Sequence, residues 1–501
     1  MQTKTRRTSI QVVILIAVLS AFTGCVKNDV EKEIVPKLTE DYLATGGDGK
    51  NDLLGYGYDV TGSLMGNESA SDAPIINLAS FVKDHSNKID APTNSKAEQH
   101  YYSGATAFDY LSDITKKRSG SFGLNATGAD GSALFSLTLS GNRDTQKKYT
   151  FSSKYSFASF EQTLTIKRIR FTQDVSTSML IKYLTPEFIK NVDTYSADAL
   201  VKRYGTHVLL DISLGGRLMF DYSASIVNED NYQRKTRGIE AGLSAGLSET
   251  IGIKLSLGMS TEEITKAARE SRNKVFSLKF YGGTNSGRTI SFDADGRPSE
   301  SINIASWEQS VNVNNASLVD IGKAIPLYEF IADPAKKSAV KAAIDKHILN
   351  SQINVIDVLP LHKVFSKGDK NHMYVTSKAA ADQLVRDWGN EYQGIIGYIL
   401  AKPNGSSTIP LHYMKSIGDK NNFFLTNMAA VNEHIVRWRN IHYGISGYLS
   451  STLNSETLPL YQVKSHGDKN TMYVTSQAEV DELVNRWKNE FQGTIGYIIA
   501  P

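Results

Sequence analysis

The sequence predicts a mixed α+β chain of two or three domains. Three stretches predict it. A short helix is followed by a stop and then a strand with paired glycines at 197–220. A long run at 239–260 alternates between apolar and mostly small or polar residues. One unit is repeated three times between 359 and 501, at spacings of 50 and 49 residues. Internal duplication on that scale points to stacked supersecondary units.

The first stretch follows from local chemistry. Ser196 is placed to cap a helix and Asp198 sits in its first turn. Ala197, Leu200, Val201 and Tyr204 form its apolar stripe. Gly205 takes the stop position, and Val208 to Phe220 read as a strand that Gly215 and Gly216 allow to bend. The run Tyr204-Gly205-Thr206-His207 followed by Gly215-Gly216 resembles the signature of the membrane attack complex/perforin (MACPF) family, over roughly residues 45–330. Leu53 to Thr61, with glycines alternating with aromatics, is similar to the first segment of bacterial members.

That resemblance implies a MACPF-like bent antiparallel sheet with flanking helix clusters. In relatives two clusters refold into two transmembrane β-hairpins per subunit, and many subunits close a ring. Residues of about 121–160 and 225–272 match the two positions, and the unit containing His207 matches the hinge region. Gly282-Gly283, after a strand from Lys274 to Phe280, resembles the closing glycine pair.

The alternation supports the second hairpin independently. Odd positions from Ile239 to Met259 are apolar except Glu249, and even positions are Gly, Ser, Thr, Glu or Lys. A barrel strand crosses a bilayer with about 9–11 residues, apolar side chains to lipid and polar ones to the lumen. Ile239, Leu243, Leu247, Ile251, Ile253, Leu255 and Leu257 are therefore the expected lipid-facing residues. Before insertion the segment would be stored as helix against the sheet; the plainer reading is a long soluble hairpin. In the first segment Ala133, Phe135, Leu137 and Leu139, then Phe151, Tyr155 and Phe157, alternate less regularly.

Residues 1–24 read as an export signal, with Lys4, Arg6 and Arg7 ahead of a 12-residue apolar stretch, Ile10 to Ala21. Small residues before Cys25, the only cysteine, resemble a bacterial lipoprotein box and make Cys25 the expected lipidation site. The polar stretch 25–49 reads as a tether. A bacterial outer-membrane anchor with surface exposure, in a Gram-negative cell, is the localisation this implies. Removing 1–24 takes three positive charges and no negative ones, so a net charge of +3 falls to zero. That balance does not point to nucleic acid as a partner. Residues 50–350 form the expected MACPF domain. It closes with a helix that Asp333 caps and Pro334 begins.

Each C-terminal unit in 351–501 reads strand, Gly-Asp turn, strand, helix, strand, and the region is expected to form one or two small α+β domains. The turns are Gly368-Asp369, Gly418-Asp419 and Gly467-Asp468, read either as plain turns or as repeated binding groups. Trp388, Trp438 and Trp487 lie at helical spacing from Ala381, Val431 and Val480 and are expected in the core; Ser476 and Glu479 have capping-box spacing.

His207 has no second ligand at useful spacing and is read as a structural histidine. No nucleophile–base set, phosphate loop or metal motif is present, so no catalysis, cofactor or metal is expected. The leading function is oligomerisation and membrane perforation, with membrane lipid and further copies of the chain as partners and a surface glycan or protein as a candidate receptor. The alternative is a non-lytic surface scaffold that displays the C-terminal modules, in nutrient uptake or host interaction.

Overall fold

The computed structural model describes residues 52–93, 95–118, 120, 133–139, 150–226, 232–292, 298–299 and 302–501. Its N-terminal part is built on long antiparallel strands. In chain order the principal elements are β1 (Tyr56–Tyr58), β2 (Lys96–Gly104), α1 (Ala107–Arg118), β3 (Tyr155–Phe171) and α2 (Ala197–Tyr204). They continue with β4 (His207–Ile226), α3 (Tyr232–Thr250), α4 (Thr261–Glu270), β5 (Ser271–Tyr281), β6 (Ser317–Pro326) and α5 (Pro334–Asn350). Ser196 accepts from the Ala199 amide and Asp333 from the Lys336 amide, so both helices start where their caps lie.

The 20-residue strand β4 organises the sheet. β3 lies along one side of it, and β2 pairs with the far side of β3. The other side of β4 is shared. β6 pairs with its first half, from Pro326↔His207 to Ser317↔Gly215. β5 pairs with its second half, from Tyr281↔Arg217 to Ser271↔Ile226. The handover falls at Gly215-Gly216. A Cβ on Gly215 would lie 1.8 Å from the Leu164 carbonyl oxygen, and one on Gly216 would lie 2.6 Å from Val311 Cγ2. Opposite this pair the register with β3 slips between Thr165 and Lys167. A bulge of this kind bends a strand, and glycine admits the close approach.

Two apolar cores result. One, around Tyr58, Phe81, Tyr204, Leu209, Ile212 and Leu318, fills the half near β1, β6 and α5. The other, around Phe160, Phe220, Tyr222, Phe276 and Leu278, lies beneath α3.

The C-terminal repeats are β7 (Val358–Ser366), β8 (Asn371–Val375), α6 (Lys378–Trp388) and β9 (Glu391–Leu400); β10 (Thr408–Lys415), β11 (Asn422–Leu425), α7 (Met428–Trp438) and β12 (Ile441–Ser450); and β13 (Thr457–Lys464), β14 (Thr471–Val474), α8 (Gln477–Asp481) and β15 (Glu490–Ile499). The strand-strand-helix-strand order predicted for each is present. The last strands pair cyclically, through Leu400↔Tyr448, Ser450↔Tyr497 and Tyr398↔Ile499. Leu361, Leu411 and Leu460 share one core with Tyr374, Phe424 and Tyr473. The three units therefore share one sheet and one central core, while Met414, Phe423 and Val431 of the second and Val463, Met472, Val474 and Val480 of the third form smaller clusters within their own units.

The Gly-Asp turns serve this closure. Asn371 Nδ2 donates to the Lys420 carbonyl at 2.8 Å and Asn421 Nδ2 to the Lys469 carbonyl at 3.0 Å. Asn470 Nδ2 lies 2.8 Å from His372 Nδ1 and completes the ring.

Two expectations for the repeats fail. Trp388, Trp438 and Trp487 are 75%, 46% and 60% exposed. Each helix makes its contact through Ala381, Val431 or Val480, all buried, and by the tryptophan, which ends the first two helices and follows the π-helical turn Glu482–Arg486 in the third, the shared face is open to solvent. The Ser476 side chain makes no capping bond to its helix, whereas Ser377 and Asn427 cap theirs.

Candidate membrane-insertion region

The signature residues anchor one strand of the sheet to another. Asn191 Nδ2 donates to Tyr204 Oη at 2.8 Å, and the Tyr204 ring meets Phe188 edge-on. Gly205 ends α2 with φ at +75°. The Thr206 hydroxyl donates to the Tyr58 carbonyl and accepts from the Val60 amide, both at 3.1 Å. His207 Nδ1 lies 3.0 Å from the same hydroxyl. Burial pushes the His207 pKa down to about 4, so the ring is neutral at pH 7. These bonds tie β1 to the start of β4.

At the other end of β4 stands the segment the alternation singled out. Its first half is helix α3, not a hairpin. Ile239, Leu243 and Leu247, each fully buried, pack on Phe220, Tyr222 and Phe276. The alternation and the helix are compatible because four residues are two strand repeats and also about one helical turn. In a strand all the odd positions share one face. In the helix the three large ones pack on the sheet's aromatic core, while Ala241, itself buried, and the half-buried Ala245 lie outside that cluster.

Gly242 and Gly246 let the helix approach closely. A Cβ on Gly242 would lie 2.4 Å from Tyr222 Cε1, and one on Gly246 would lie 2.6 Å from Phe276 Cε1. Glycine weakens a helix by about 1 kcal/mol relative to alanine. Burial of an Ile or Leu side chain contributes about 1.5–3 kcal/mol. The sheet, rather than helix propensity, therefore holds α3.

The second half, 251–260, is not the helix expected for it: it is an irregular run, unpaired with any described strand, with positive φ at Gly252 and Gly258. Its odd residues are half-buried and its even residues exposed throughout, and Ile251, Ile253 and Leu255 pack against the core under α3. Leu257 is likewise half-buried. Ser260 and Glu263 then form a reciprocal capping box for α4, which buries none of its described side chains.

The whole segment departs from Ile226 and returns at Ser271, which are paired neighbours on β4 and β5. The chain that contains the first segment also leaves and rejoins the sheet at paired residues, Gly104 of β2 and Phe157 of β3, but it first forms α1, and the segment's last residues, from Tyr155, are already strand β3. In that segment the expected strand at 133–139 is a turn and a single 3-10 turn, with the Phe135 amide bonded to the Val60 carbonyl. Leu134 breaks the period there and is itself buried. Residues 121–132 and 140–149 lie outside the described residues, as do Cys25, the signal and the tether.

α1 covers the face opposite α3. Its last residue, Arg118, donates from Nη2 to Glu161 Oε2 and from Nε to Tyr102 Oη, both at 2.7 Å. Tyr102 donates to the same Glu161 oxygen at 2.7 Å, and Arg217 lies 3.6 Å from Oε1. Burial alone would raise the Glu161 pKa, but Arg118, Arg217 and the hydrogen bonds hold it below the usual carboxylate value. This network was invisible in the sequence because its members lie 16 to 59 residues or more apart.

The C-terminal body touches the bases of both segments. Lys154 Nζ, at the base of the first, donates to the Ala500 carbonyl at 2.8 Å and lies 5.1 Å from the Tyr398 ring centre. Tyr398 Oη lies 3.3 Å from Ser225 Oγ, beside the start of the second segment. Val358 N donates to Ser153 Oγ at 2.9 Å, while Lys235 of α3 donates to the Ser153 carbonyl at 2.8 Å. Among the described residues no helix is long and apolar enough to cross a membrane, which says nothing of strands.

No curated protein matches the chain. Among solved structures, a cell invasion protein with a MAC/Perforin domain from Bacteroides thetaiotaomicron is similar at 16% identity and a TM-score of 0.48, over 78% of this chain and 72% of that one. GNIP1Aa from Chromobacterium piscinae is similar at 15% identity and a TM-score of 0.45, over 85% and 76%. The cytotoxin suilysin from Streptococcus suis is similar at 10% identity and a TM-score of 0.23, over 60% and 57%. A domain of unknown function, DUF5648, matches residues 360–499. The MAC/Perforin domain matches residues 44–356, well over half of the chain, and the chain belongs to that family.

Proposed function

We propose that this is an exported membrane-perforating protein, anchored through lipidated Cys25 to the outer membrane and displayed at the surface. Its subunits oligomerise and insert two β-hairpins each, drawn from residues of about 121–160 and 225–272. Membrane lipid and further copies of the chain are its partners, and no catalytic step is involved. The observation that carries the reading is the pairing of Ile226 with Ser271. A segment that leaves and returns at paired residues can become strand by lengthening an existing antiparallel ladder. The 44 residues between them supply two arms, each longer than the roughly 9–11 residues a barrel strand needs. In lipid such backbone is satisfied only in a closed barrel, which requires several subunits.

Dye release from liposomes tests this. Ser103 Oγ donates to Glu240 Oε1 at 2.7 Å, so cysteines at these two positions, joined by a short thiol crosslinker, would hold α3 on β2. Leakage with rings in negative-stain images, abolished by the crosslink and restored by a cleavable one, is the expected result. Intact vesicles under every lipid composition would favour a non-lytic surface scaffold. The contacts of the C-terminal body with both segment bases favour that second reading, since they hold the segments in place.

A further inference from the structure

The three C-terminal repeats are internal controls for one another, because their strands pair alike in all three and their helices match in the first two, the third widening to a π-helix over Glu482–Arg486. Four positions are polar in the first and third repeats and apolar in the second. Ile417 stands where the others have Lys367 and His466, and Val436 where they have Arg386 and Asn485. Ile441 stands for Glu391 and Glu490, and Tyr443 for Gln393 and Gln492. All four are exposed, from 42% at Ile441 to 82% at Val436. No core requirement explains them.

They gather at one place. Val436 and Trp438 lie in the last turn of α7, and Ile441 and Tyr443 open β12. Ile417 reaches the same turn, where its amide donates to Asn440 Oδ1 at 3.3 Å. Arg437 lies over the Trp438 ring at 5.2 Å, and Lys415 is the strand partner of Ile441. The second repeat also carries the fewest carboxylates. Between 408 and 450 there are Asp419 and Glu433 alone, against four in 358–400 and five in 457–499. Both are ion-paired, Asp419 with Lys469 and Glu433 with Arg437.

We infer that this tip of the second repeat docks on a lipid bilayer surface bearing anionic headgroups. The inference deepens the membrane-attack reading and rests on it. Trp and Tyr seat at the membrane interface with aliphatic side chains below them, and Arg and Lys flanking the patch add attraction to anionic lipid. The patch is a few side chains wide. A stable protein interface takes about 800 Å² from each partner, more than these side chains offer, whereas a bilayer accepts inserted residues one by one.

The test uses the full chain with Cys25→Ser, so that no acyl group contributes, and flotation with phosphatidylcholine vesicles with and without phosphatidylglycerol. The variant carries Ile417→Lys, Val436→Arg, Ile441→Glu and Tyr443→Gln, the residues the first repeat holds on the same backbone. The wild type is expected to float with anionic vesicles and the variant to partition roughly tenfold less. Writing the four apolar residues into the first repeat of that variant, at 367, 386, 391 and 393, should restore flotation. Equal flotation of wild type and variant, or none by either, overturns the inference. So does a concentration-dependent dimer that the variant abolishes without any flotation, which would make a second copy the occupant. Dye release on the same vesicles separates the two claims. Flotation without leakage leaves docking standing and perforation fallen; equal leakage and equal flotation by both proteins do the reverse.

Discussion

Ile226 and Ser271 face each other on the last rung of the β4–β5 ladder, and 44 residues leave the sheet at one and return at the other. Among the described residues of that segment, 232–250 form helix α3, 251–260 an irregular run with half-buried odd positions, and 261–270 helix α4. Because sheet contacts hold α3 in place, changes at the contact should tune its release.

Gly242→Val places a branched side chain where a Cβ already falls 2.4 Å from the Tyr222 ring. Overpacking of this kind costs about 1–3 kcal/mol. The variant is expected to lose that much stability in chemical denaturation and to release dye faster than wild type. Ser248→Val, at an exposed position of the same helix, serves as the comparison outside the contact and should change neither.

Arg118 joins α1 to Glu161 on the opposite face. Arg118→Ala leaves a buried carboxylate short of its nearest cation and is expected to cost about 3–5 kcal/mol in unfolding free energy. The double variant Arg118→Met, Glu161→Met should be far less destabilised than the single one, read from thermal denaturation of both. Glu161 is held below its ordinary pKa. Its contribution is therefore present above the unfolded carboxylate value and is lost as pH falls through the folded one.

His207 has the opposite chemistry and the same sign. Its folded pKa, about 4, lies below the unfolded value near 6.5. Between those values the unfolded chain binds the proton and the folded chain does not, so stability falls as pH drops from about 6.5 to 4. The loss should approach roughly 3 kcal/mol by pH 4 from this residue. Stability curves against pH for wild type and His207→Gln should differ in slope across that window, with the variant flatter.

The C-terminal body meets both segment bases at Lys154 and Ser225. Tyr398→Ala removes the ring beside Lys154 and the hydroxyl beside Ser225 together. Amide exchange is expected to rise at 151–156, 224–226 and 271–274 while the core strands at 209–214 stay protected. Unchanged exchange at the bases would contradict a clasp there.

The sequence exposed the anchor, the handover glycines and the repeats because each rests on short-range chemistry: a cap at Ser196, a stop at Gly205, a turn before Asn371. The helix at 232–250 was legible only in part, since an apolar residue at every fourth position satisfies both helix and strand. What decides between them is the aromatic face of the sheet beneath, supplied by residues as distant as Phe276. The tryptophans misled for a related reason. Periodicity identifies a face, but not how far along the helix a partner extends. The Arg118, Glu161 and Arg217 network could not be read at all, because nothing local pairs those charges.

Site-by-site fluorescence across 251–258 tests the central claim most directly. Single cysteines in the Cys25→Ser chain would carry an environment-sensitive dye, with emission followed as vesicles are added. Insertion as a β-hairpin predicts that odd positions move into lipid and even positions remain in water, a period of two. No change on the membrane, or a period near 3.6, would contradict it.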